Sequence, residues 1–311
     1  MPSPPGSIVI GTRGSKLALA QTELTRAALL AAHPELSISV QHITTKGDVL
    51  RDTPLAFIDD KALFAGEIEQ ALLRGEIDLA VHSTKDLPSE LPDGLVIAAY
   101  LPRANPFDAL LSLRGETLRE LPPGARVGTS SLRRAAQLRA ARPDLEIADL
   151  RGNVDTRLRK LFELQQYDAI VLAVAGLERL GELSRATEIL DGETMLPAAG
   201  QGAVALEVRA SDQGMGELLT AVDDRPTRIV VTAERAFQQA VGAGCHAAVA
   251  AYASVSDEHL VLRAMVAALD GRTVRGLLEG PTREAEALGQ RLAAELLAQG
   301  GAVFLEALPN E

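Results

Sequence analysis

The sequence predicts an α/β protein with two lobes and a small C-terminal α+β domain. Short apolar segments alternate with helix-like segments through most of the chain, a pattern typical of open sheets that carry helices on both faces. Proline-bearing crossings at residues 101–106 and 196–202 divide this part into two lobes, and we expect a cleft between them. Beyond residue 226 the alternation changes to consecutive strand-like runs flanked by helices, which indicates the smaller domain.

The first lobe is predicted to comprise residues 1–101 and a returning segment at residues 202–221. Ser15 is a candidate N-cap, because a helix with apolar residues at helical spacing from Leu17 to Ala31 follows it. Residues 46–60 are too polar and broken for a helix or strand and are predicted to form a long loop. The predicted strands are 8–10, 38–43, 79–82, 96–100 and 203–208, and the predicted second helix is 63–73.

The second lobe is predicted to be an insertion at residues 105–197, and the C-terminal domain is predicted at residues 225–311. The glycine pair 300–301 is expected to end the last helix, since glycine commonly follows a helix C-terminus. In the second lobe the predicted strands are 109–113, 126–128, 145–150 and 169–174, and the helices are 131–142 and 154–165. In the C-terminal domain the predicted strands are 249–253, 260–266 and 272–278, and the helices are 229–241 and 283–297.

The composition narrows the possible partners. The net charge of −11 argues against nucleic acid, because neutralising phosphates generally needs a basic surface. A small anionic ligand would have to be held by a local cluster of arginines, since the distant field of the protein opposes it. The chain has no long apolar run and no signal-peptide pattern at its start, and its single cysteine excludes an internal disulfide framework. We therefore expect a cytoplasmic protein without a membrane partner.

Three turns between a strand and a helix carry arginine beside glycine, hydroxyl or amide residues, at 11–15, 128–134 and 150–157. The unpaired N–H groups at a helix N-terminus attract anions, and arginine adds a planar fork that grips carboxylate or phosphate. One such turn could equally be a plain cap with a solvated arginine, whereas three favour an anion site. None has the glycine spacing of a phosphate loop or a dinucleotide fold, so a nucleotide has little support.

Residues 81–88 place Lys85 and Asp86 after a buried strand. In an open α/β sheet that edge faces the ligand, where a carboxylate can stabilise a developing cation or move a proton. The alternative is a local ion pair between these two side chains, with Asp86 capping a turn. His82 is expected to serve the packing or hydrogen bonding of the strand.

Cys245 lies in a glycine-flanked stretch, residues 242–246, after a helix-like segment. This setting suits an attachment point, although a lone cysteine is also often a small buried hydrophobe. A hydrolase built on Cys245 and His246 is improbable, because adjacent side chains of an extended segment diverge. One cysteine and five scattered histidines also give no metal-ligand spacing.

Six segments together resemble the porphobilinogen deaminases, also called hydroxymethylbilane synthases. They are residues 11–15, 82–88, 128–134, 150–153, 196–202 and 244–245, in that order along the chain. The resemblance implies two lobes like those of periplasmic binding proteins, and a third domain that carries the cysteine on a loop. It also implies a monomer that joins four porphobilinogen molecules head to tail, releases ammonia at each step and finally hydrolyses off the linear tetrapyrrole hydroxymethylbilane.

The resemblance further implies a dipyrromethane cofactor bound to Cys245 through a thioether. Asp86 corresponds to the family's catalytic carboxylate, which stabilises the azafulvene cation left when ammonia departs. The other residues implied to bind the cofactor are Lys85, Gly128, Thr129, Ser130, Ser131, Arg133, Arg134, Arg151 and Asn153. Those implied to bind the substrate, mainly through its acetate and propionate arms, are Arg13, Ser15, Lys61, Arg157, Arg179 and Gln201.

A different class of protein also fits part of the pattern. A two-lobed protein that closes on a dicarboxylate without reacting would explain the arginine-bearing turns and the two crossings. It would not explain a carboxylate at Asp86 or a glycine-flanked thiol at Cys245.

Overall fold

The computed structural model describes residues 6–49, 65–242 and 248–306. By its internal contacts the chain forms two compact units. In the described residues the first unit comprises 6–49, 65–104 and 202–228, and the second comprises 105–201 and 229–306. The predicted boundaries of three separate domains stay a prediction.

The secondary structure follows the predicted alternation. The strands are β1 (Ser7–Thr12), β2 (Ser37–His42), β3 (Leu79–Ser83), β4 (Leu95–Tyr100), β5 (Asp108–Ser112), β6 (Arg126–Gly128), β7 (Glu146–Ala148), β8 (Ala169–Ala173), β9 (Glu188–Leu190), β10 (Val204–Arg209), β11 (Ala248–Ser256), β12 (His259–Ala267) and β13 (Thr273–Pro281). The helices are α1 (Lys16–Ala32), α2 (Lys46–Val49), α3 (Gly66–Leu73), α4 (Leu132–Ala141), α5 (Val154–Phe162), α6 (Val174–Arg179), α7 (Gln213–Thr220), α8 (Arg225–Val241), α9 (Ala285–Leu296) and α10 (Ala302–Glu306).

The first unit contains a five-stranded mixed sheet in the order β2-β1-β3-β10-β4. Strands β1, β2 and β3 are parallel, whereas β10 runs antiparallel to both of its neighbours. Because β1 and β3 are adjacent and parallel, the turns that follow them lie at the same edge of the sheet. Apolar clusters cover both faces, one including Ile8, Leu79 and Leu206, and the other including Ala80 and Ile68.

The second unit contains a sheet with the same strand pattern, in the order β7-β6-β8-β5-β9. Here β6, β7 and β8 are parallel, and β5 is antiparallel to β8 and β9. The turns after β6, β7 and β8 therefore share one edge. The unit also contains an antiparallel sheet of three nine-residue strands, β11-β12-β13, against which α9 packs.

The predicted fold class is confirmed as two mixed α/β sheets and a small antiparallel sheet with helices. Five short elements were not predicted, namely α2, α6, α7, α10 and β9. Helix α7 contains Gly214 and Gly216, which disfavour a helix, but Asp212 caps it by accepting a hydrogen bond from Met215 N at 3.1 Å. Four residues of α6, Val174 to Leu177, are buried, so it lacks an amphipathic pattern.

The predicted ends of helices and strands differ from the observed ones by up to four residues. Helix α8 begins at Arg225 rather than near Ile229, because proline at position 226 is tolerated in the first turn of a helix. The predicted loop at 46–60 begins with the short helix α2, and its part from residue 50 onward lies outside the described residues. Among the helices that the structure describes, none is long and apolar enough to cross a membrane.

Candidate active site

A pocket in the first unit lies at the edge where β1 and β3 end. Its cavity of about 50 Å³ opens to solvent. The polar residues that line it are Arg13, Ser15, Gln21, His82, Ser83 and Asp86. Three residues predicted from the sequence, Arg13, Ser15 and Asp86, are thus brought together.

One wall of the pocket is the start of α1. The hydroxyl of Ser15 accepts a hydrogen bond from Ala18 N at 3.2 Å, which confirms the predicted N-cap. Gln21, one turn further along, exchanges hydrogen bonds with Ser83 of β3 at 2.8 and 3.1 Å. These bonds fix the helix start against the strand end.

A second part of the pocket lining is the turn that follows β3. Residues Thr84–Asp86 form one turn of 3-10 helix, closed by a bond from Leu87 N to Thr84 O at 3.2 Å. Leu87 is buried and anchors the turn, whereas Asp86 is exposed at the pocket and Lys85 is half-buried beside it. The fold therefore presents the carboxylate of Asp86 to any molecule that enters the pocket.

Beneath the pocket lies a buried group of ionisable side chains. His82 Nε2 lies 2.9 Å from Glu207 Oε2, which confirms the predicted hydrogen-bonding role of His82. Glu69 of α3 is also buried, and burial together with the charge of Glu207 raises its pKa to about 7, against an opposing effect of His82. The sequence interpretation did not include Glu69 or Glu207. The available signal was a glutamate inside the apolar run 203–208.

In the second unit, the turn after β6 adjoins the turn after β7. Ser130 Oγ donates to Leu150 O at 2.5 Å and lies 3.2 Å from Leu150 N, which donates to it. Ser131 caps α4 by accepting a bond from Arg134 N at 3.4 Å, and Thr129 Oγ1 accepts from Ser131 N at 3.2 Å. Gly128 has no room for a side chain, because a Cβ there would lie 2.8 Å from the ring of Tyr167.

The turn before α5 is built in the same way. Asn153 accepts a hydrogen bond from Thr156 N at 3.0 Å, and Gly152 takes a φ of 109°, which favours glycine. Arg157 Nε donates to Gly152 O at 2.8 Å, so part of its guanidinium is used to hold the turn. Arg151 belongs to the same turn, and Arg179 ends α6 after β8, where burial lowers its pKa.

Arg133 and Arg134 are both bound to a carboxylate of the protein itself. Asp108, fully buried at the start of β5, lies 2.8 Å from Arg133 Nη2 and 2.7 Å from Arg134 Nη2. Arg133 also donates to Leu196 O at 2.6 Å, and Arg134 donates to Val171 O at 3.0 Å. The sequence interpretation missed Asp108 as their partner.

Gln201 completes this buried cluster. Its amide donates to Asp108 Oδ1 at 2.9 Å and to Pro106 O at 2.7 Å. Two further predicted residues, Cys245 and Lys61, lie outside the described residues.

Comparison with known proteins identifies the family. Residues 8–217 match the model of the porphobilinogen deaminase, dipyromethane cofactor binding domain, and residues 228–298 match that of the porphobilinogen deaminase C-terminal domain. The porphobilinogen deaminase of Roseiflexus sp. (strain RS-1) is 55% identical over 299 residues, which cover 96% of this chain and 98% of the relative. That of Moorella thermoacetica is 51% identical over 300 residues, 96% of either chain.

Among solved structures, the methionine binding protein MetQ has a TM-score of 0.45 and 15% identity, over 72% of this chain and 93% of that one. A similarity of this size does not bear on function. The two family models, by contrast, cover most of the sequence, and the relatives match nearly end to end. The chain belongs to the porphobilinogen deaminase family.

Proposed function

We propose that this protein joins four porphobilinogen molecules into the linear tetrapyrrole hydroxymethylbilane and releases ammonia at each addition. The observation that carries this function is the match of both family models, over residues 8–217 and 228–298. The pocket with Asp86 and the arginine-bearing turns supply the groups that such a reaction needs.

The matched cofactor domain implies a dipyrromethane group, and the side chains of the second unit suit its acidic arms. Arginines 133, 134 and 151 stand in two adjoining turns whose helix starts add unpaired N–H donors. Two guanidiniums face the single carboxylate of Asp108, so that cluster keeps a net positive charge. When bound, the dipyrromethane supplies the pyrrole end to which the first substrate is joined. Cys245 is its proposed attachment point.

The acidic arms of the substrate call for cations and hydroxyl donors. We assign this role to Arg13 and Ser15 in the first unit, to Arg157 and Arg179 in the second, and to Lys61. Lys85 pairs in this proposal with cofactor carboxylates. Gly128, Thr129, Ser130, Ser131 and Asn153 shape the turns that aim backbone N–H groups at the cofactor. Gln201, assigned to the substrate from the sequence, acts in this proposal by holding Asp108.

Asp86 is the proposed catalytic residue. The departure of ammonia leaves positive charge on the pyrrole ring of porphobilinogen, and an exposed carboxylate at the pocket stabilises that charge. The same carboxylate is placed to move a proton on or off the ring nitrogen. We also propose that the protein acts as a monomer in the cytoplasm.

The mass of the denatured protein tests the function. The proposal predicts an adduct of two pyrrole units that disappears in Cys245→Ser, together with formation of tetrapyrrole and ammonia from porphobilinogen by the unaltered protein. A dicarboxylate-binding protein would instead show the bare chain mass and release no ammonia. That result would refute the proposed function.

A further inference from the structure

The buried ionisable group beneath the pocket lies on one face of the sheet in the first unit. In the antiparallel pairing of β3 with β10, His82 is opposite Ala205 and Glu207 is opposite Ala80, so His82 and Glu207 are diagonal neighbours on the same face. Helix α3 packs on this face and brings Glu69 to the same group. Two carboxylates and one imidazole are thus enclosed in an otherwise apolar layer that includes Ile68.

Burying these ionisable groups costs free energy, and the hydrogen bonds that they form offset only part of it. Glu69, His82 and Glu207 are 2%, 6% and 0% exposed, respectively. Glu69 Oε1 and Glu207 Oε1 have no hydrogen-bond partner among the residues that the structure describes. A buried carboxylate oxygen without a donor favours uptake of a proton. The group is therefore built to hold a proton rather than to be a fixed ion pair.

His82 connects this group to the pocket, because it is one of the residues that line the pocket, together with Asp86 and Arg13. Its Nε2 is held by Glu207, which leaves Nδ1 as the ring nitrogen outside this pair. A carboxylate behind an imidazole fixes the tautomer and stabilises the imidazolium that forms when the other nitrogen accepts a proton.

Other charged groups lie on the elements that form this layer. Glu67 of α3 has one buried carboxylate oxygen without a hydrogen-bond partner among the described residues. The charge of Glu207 raises the pKa of Glu69, whereas the charge of His82 lowers it. Arg209, further along β10, is paired with Asp78 at 3.2 Å and with Asp212 at 3.1 Å. At the pocket itself, the charged residues that line it together with His82 are Arg13 and Asp86, of which Asp86 is exposed.

We infer that His82, supported by Glu207 and Glu69, is a second proton-handling residue of this pocket, an inference that rests on the proposed function. Each addition breaks one carbon–nitrogen bond, forms one carbon–carbon bond and frees one proton from the carbon that is joined. His82 Nδ1 takes up that proton after the new bond has formed and gives it to the amino group of the next porphobilinogen, whose nitrogen then departs as ammonia. Glu207 and Glu69 are positioning residues, since they act only through His82.

The first test uses the intact protein with its cofactor and the variant His82→Gln. We expect kcat to fall about 100-fold or more, because a general base of this kind contributes 10²–10⁴-fold. We expect KM to change by less than about threefold and the two-pyrrole adduct to remain. The control is His259→Gln, which removes an exposed histidine paired with Glu279 at 3.2 Å and is expected to leave kcat unchanged.

A second test measures proton uptake by this group and does not require the His82→Gln variant to fold. In Glu69→Gln the group that titrates near neutral pH is gone, so the change of kcat across about pH 6 to 8 should flatten. Glu35→Gln, the same change at an exposed glutamate of the first unit, should keep the wild-type profile. The nitrogen-15 NMR signals of His82, assigned with the His82→Gln variant, should show Nε2 carrying the proton in the neutral ring.

The outcomes separate this inference from the proposed function. Active wild-type protein with an equally active, folded His82→Gln variant would overturn the inference alone, as would identical pH profiles for Glu69→Gln and wild type. A neutral His82 that carries its proton on Nδ1 would overturn it as well. Wild-type protein that forms no tetrapyrrole would refute the proposed function and this inference with it.

Discussion

The two five-stranded sheets have the same strand order, yet each buries its carboxylate beside a different partner. In the second unit Asp108 begins the antiparallel strand β5, opposite Ala173, the last residue of β8. In the first unit the equivalent position on β10 is Val204, opposite Ser83, the last residue of β3. The buried carboxylate there is Glu207, three residues further along.

The partner determines what each carboxylate can do. Asp108 is paired with Arg133 and Arg134, whose guanidiniums keep their protons, so this cluster carries fixed positive charge suited to holding acidic arms. Glu207 is paired with His82, an imidazole rather than a guanidinium. In our proposal, the same strand arrangement serves anion binding in one unit and proton handling in the other.

The largest effect is expected for Asp108→Asn. This change leaves two buried guanidiniums without a countercharge and should lower the free energy of unfolding by about 3 to 5 kcal/mol. Denaturant unfolding measures it. The control is Asp144→Asn, whose partner Arg142 lies at 2.6 Å on the surface and whose loss should cost less than about 1 kcal/mol. Equal effects of the two changes would contradict a fixed-charge cluster around Asp108.

Asp86→Asn should separate chemistry from folding in the other unit. Because Asp86 is exposed, the free energy of unfolding should change by less than about 0.5 kcal/mol. The rate of tetrapyrrole formation should fall by about 10²–10⁴-fold, since the charge on the pyrrole ring loses its countercharge. Asp93→Asn, an exposed aspartate of the same unit, is the control and should retain full activity. Full activity of Asp86→Asn would remove Asp86 from the mechanism.

Glu69 gives the first unit a pH dependence of stability. Its pKa is about 7 in the folded protein against 4.5 when exposed, so the folded state binds more protons between these values. Stability should therefore fall as pH rises from about 4.5 to about 7, by about 1 to 2 kcal/mol, and then level off. Urea unfolding across this range should show a smaller fall for Glu69→Gln than for wild type. Glu35→Gln, at an exposed glutamate of the same unit, serves as the control, and an unchanged slope in Glu69→Gln would show that Glu69 ionises normally.

The smallest effects are expected from removing two helix N-caps, which tests whether the two sheets are structurally equivalent. Ser15 caps α1 after β1, and Ser131 caps α4 after β6, at equivalent places in the two sheets. Each change to alanine should lower the free energy of unfolding by about 1 kcal/mol. Thermal unfolding of both variants would check this, and a loss in only one of them would mean that the two caps are not equivalent.

The alternation of elements was predictable because periodicity is local, and Ser15 was recognised as a cap from its neighbours in the sequence. The buried partners were not predictable in this way. Asp108 meets Arg134 across 26 positions and Gln201 across 93, and His82 meets Glu207 across 125. Strand pairing brings His82 to Glu207, whereas α4 and the turn at Gln201 bring the partners of Asp108 to β5. Arginines 133 and 134 were predicted to bind ligand carboxylates. In the structure both are paired with Asp108, a carboxylate of the protein itself.

The most direct test of the account is the intact mass of wild-type and Asp86→Asn protein, each measured before and after a short incubation with porphobilinogen. The account predicts a two-pyrrole adduct on both proteins beforehand, with further pyrrole units and rapid product release for wild type and almost no turnover for the variant. A bare chain mass for wild type, or equal turnover by both proteins, would contradict it.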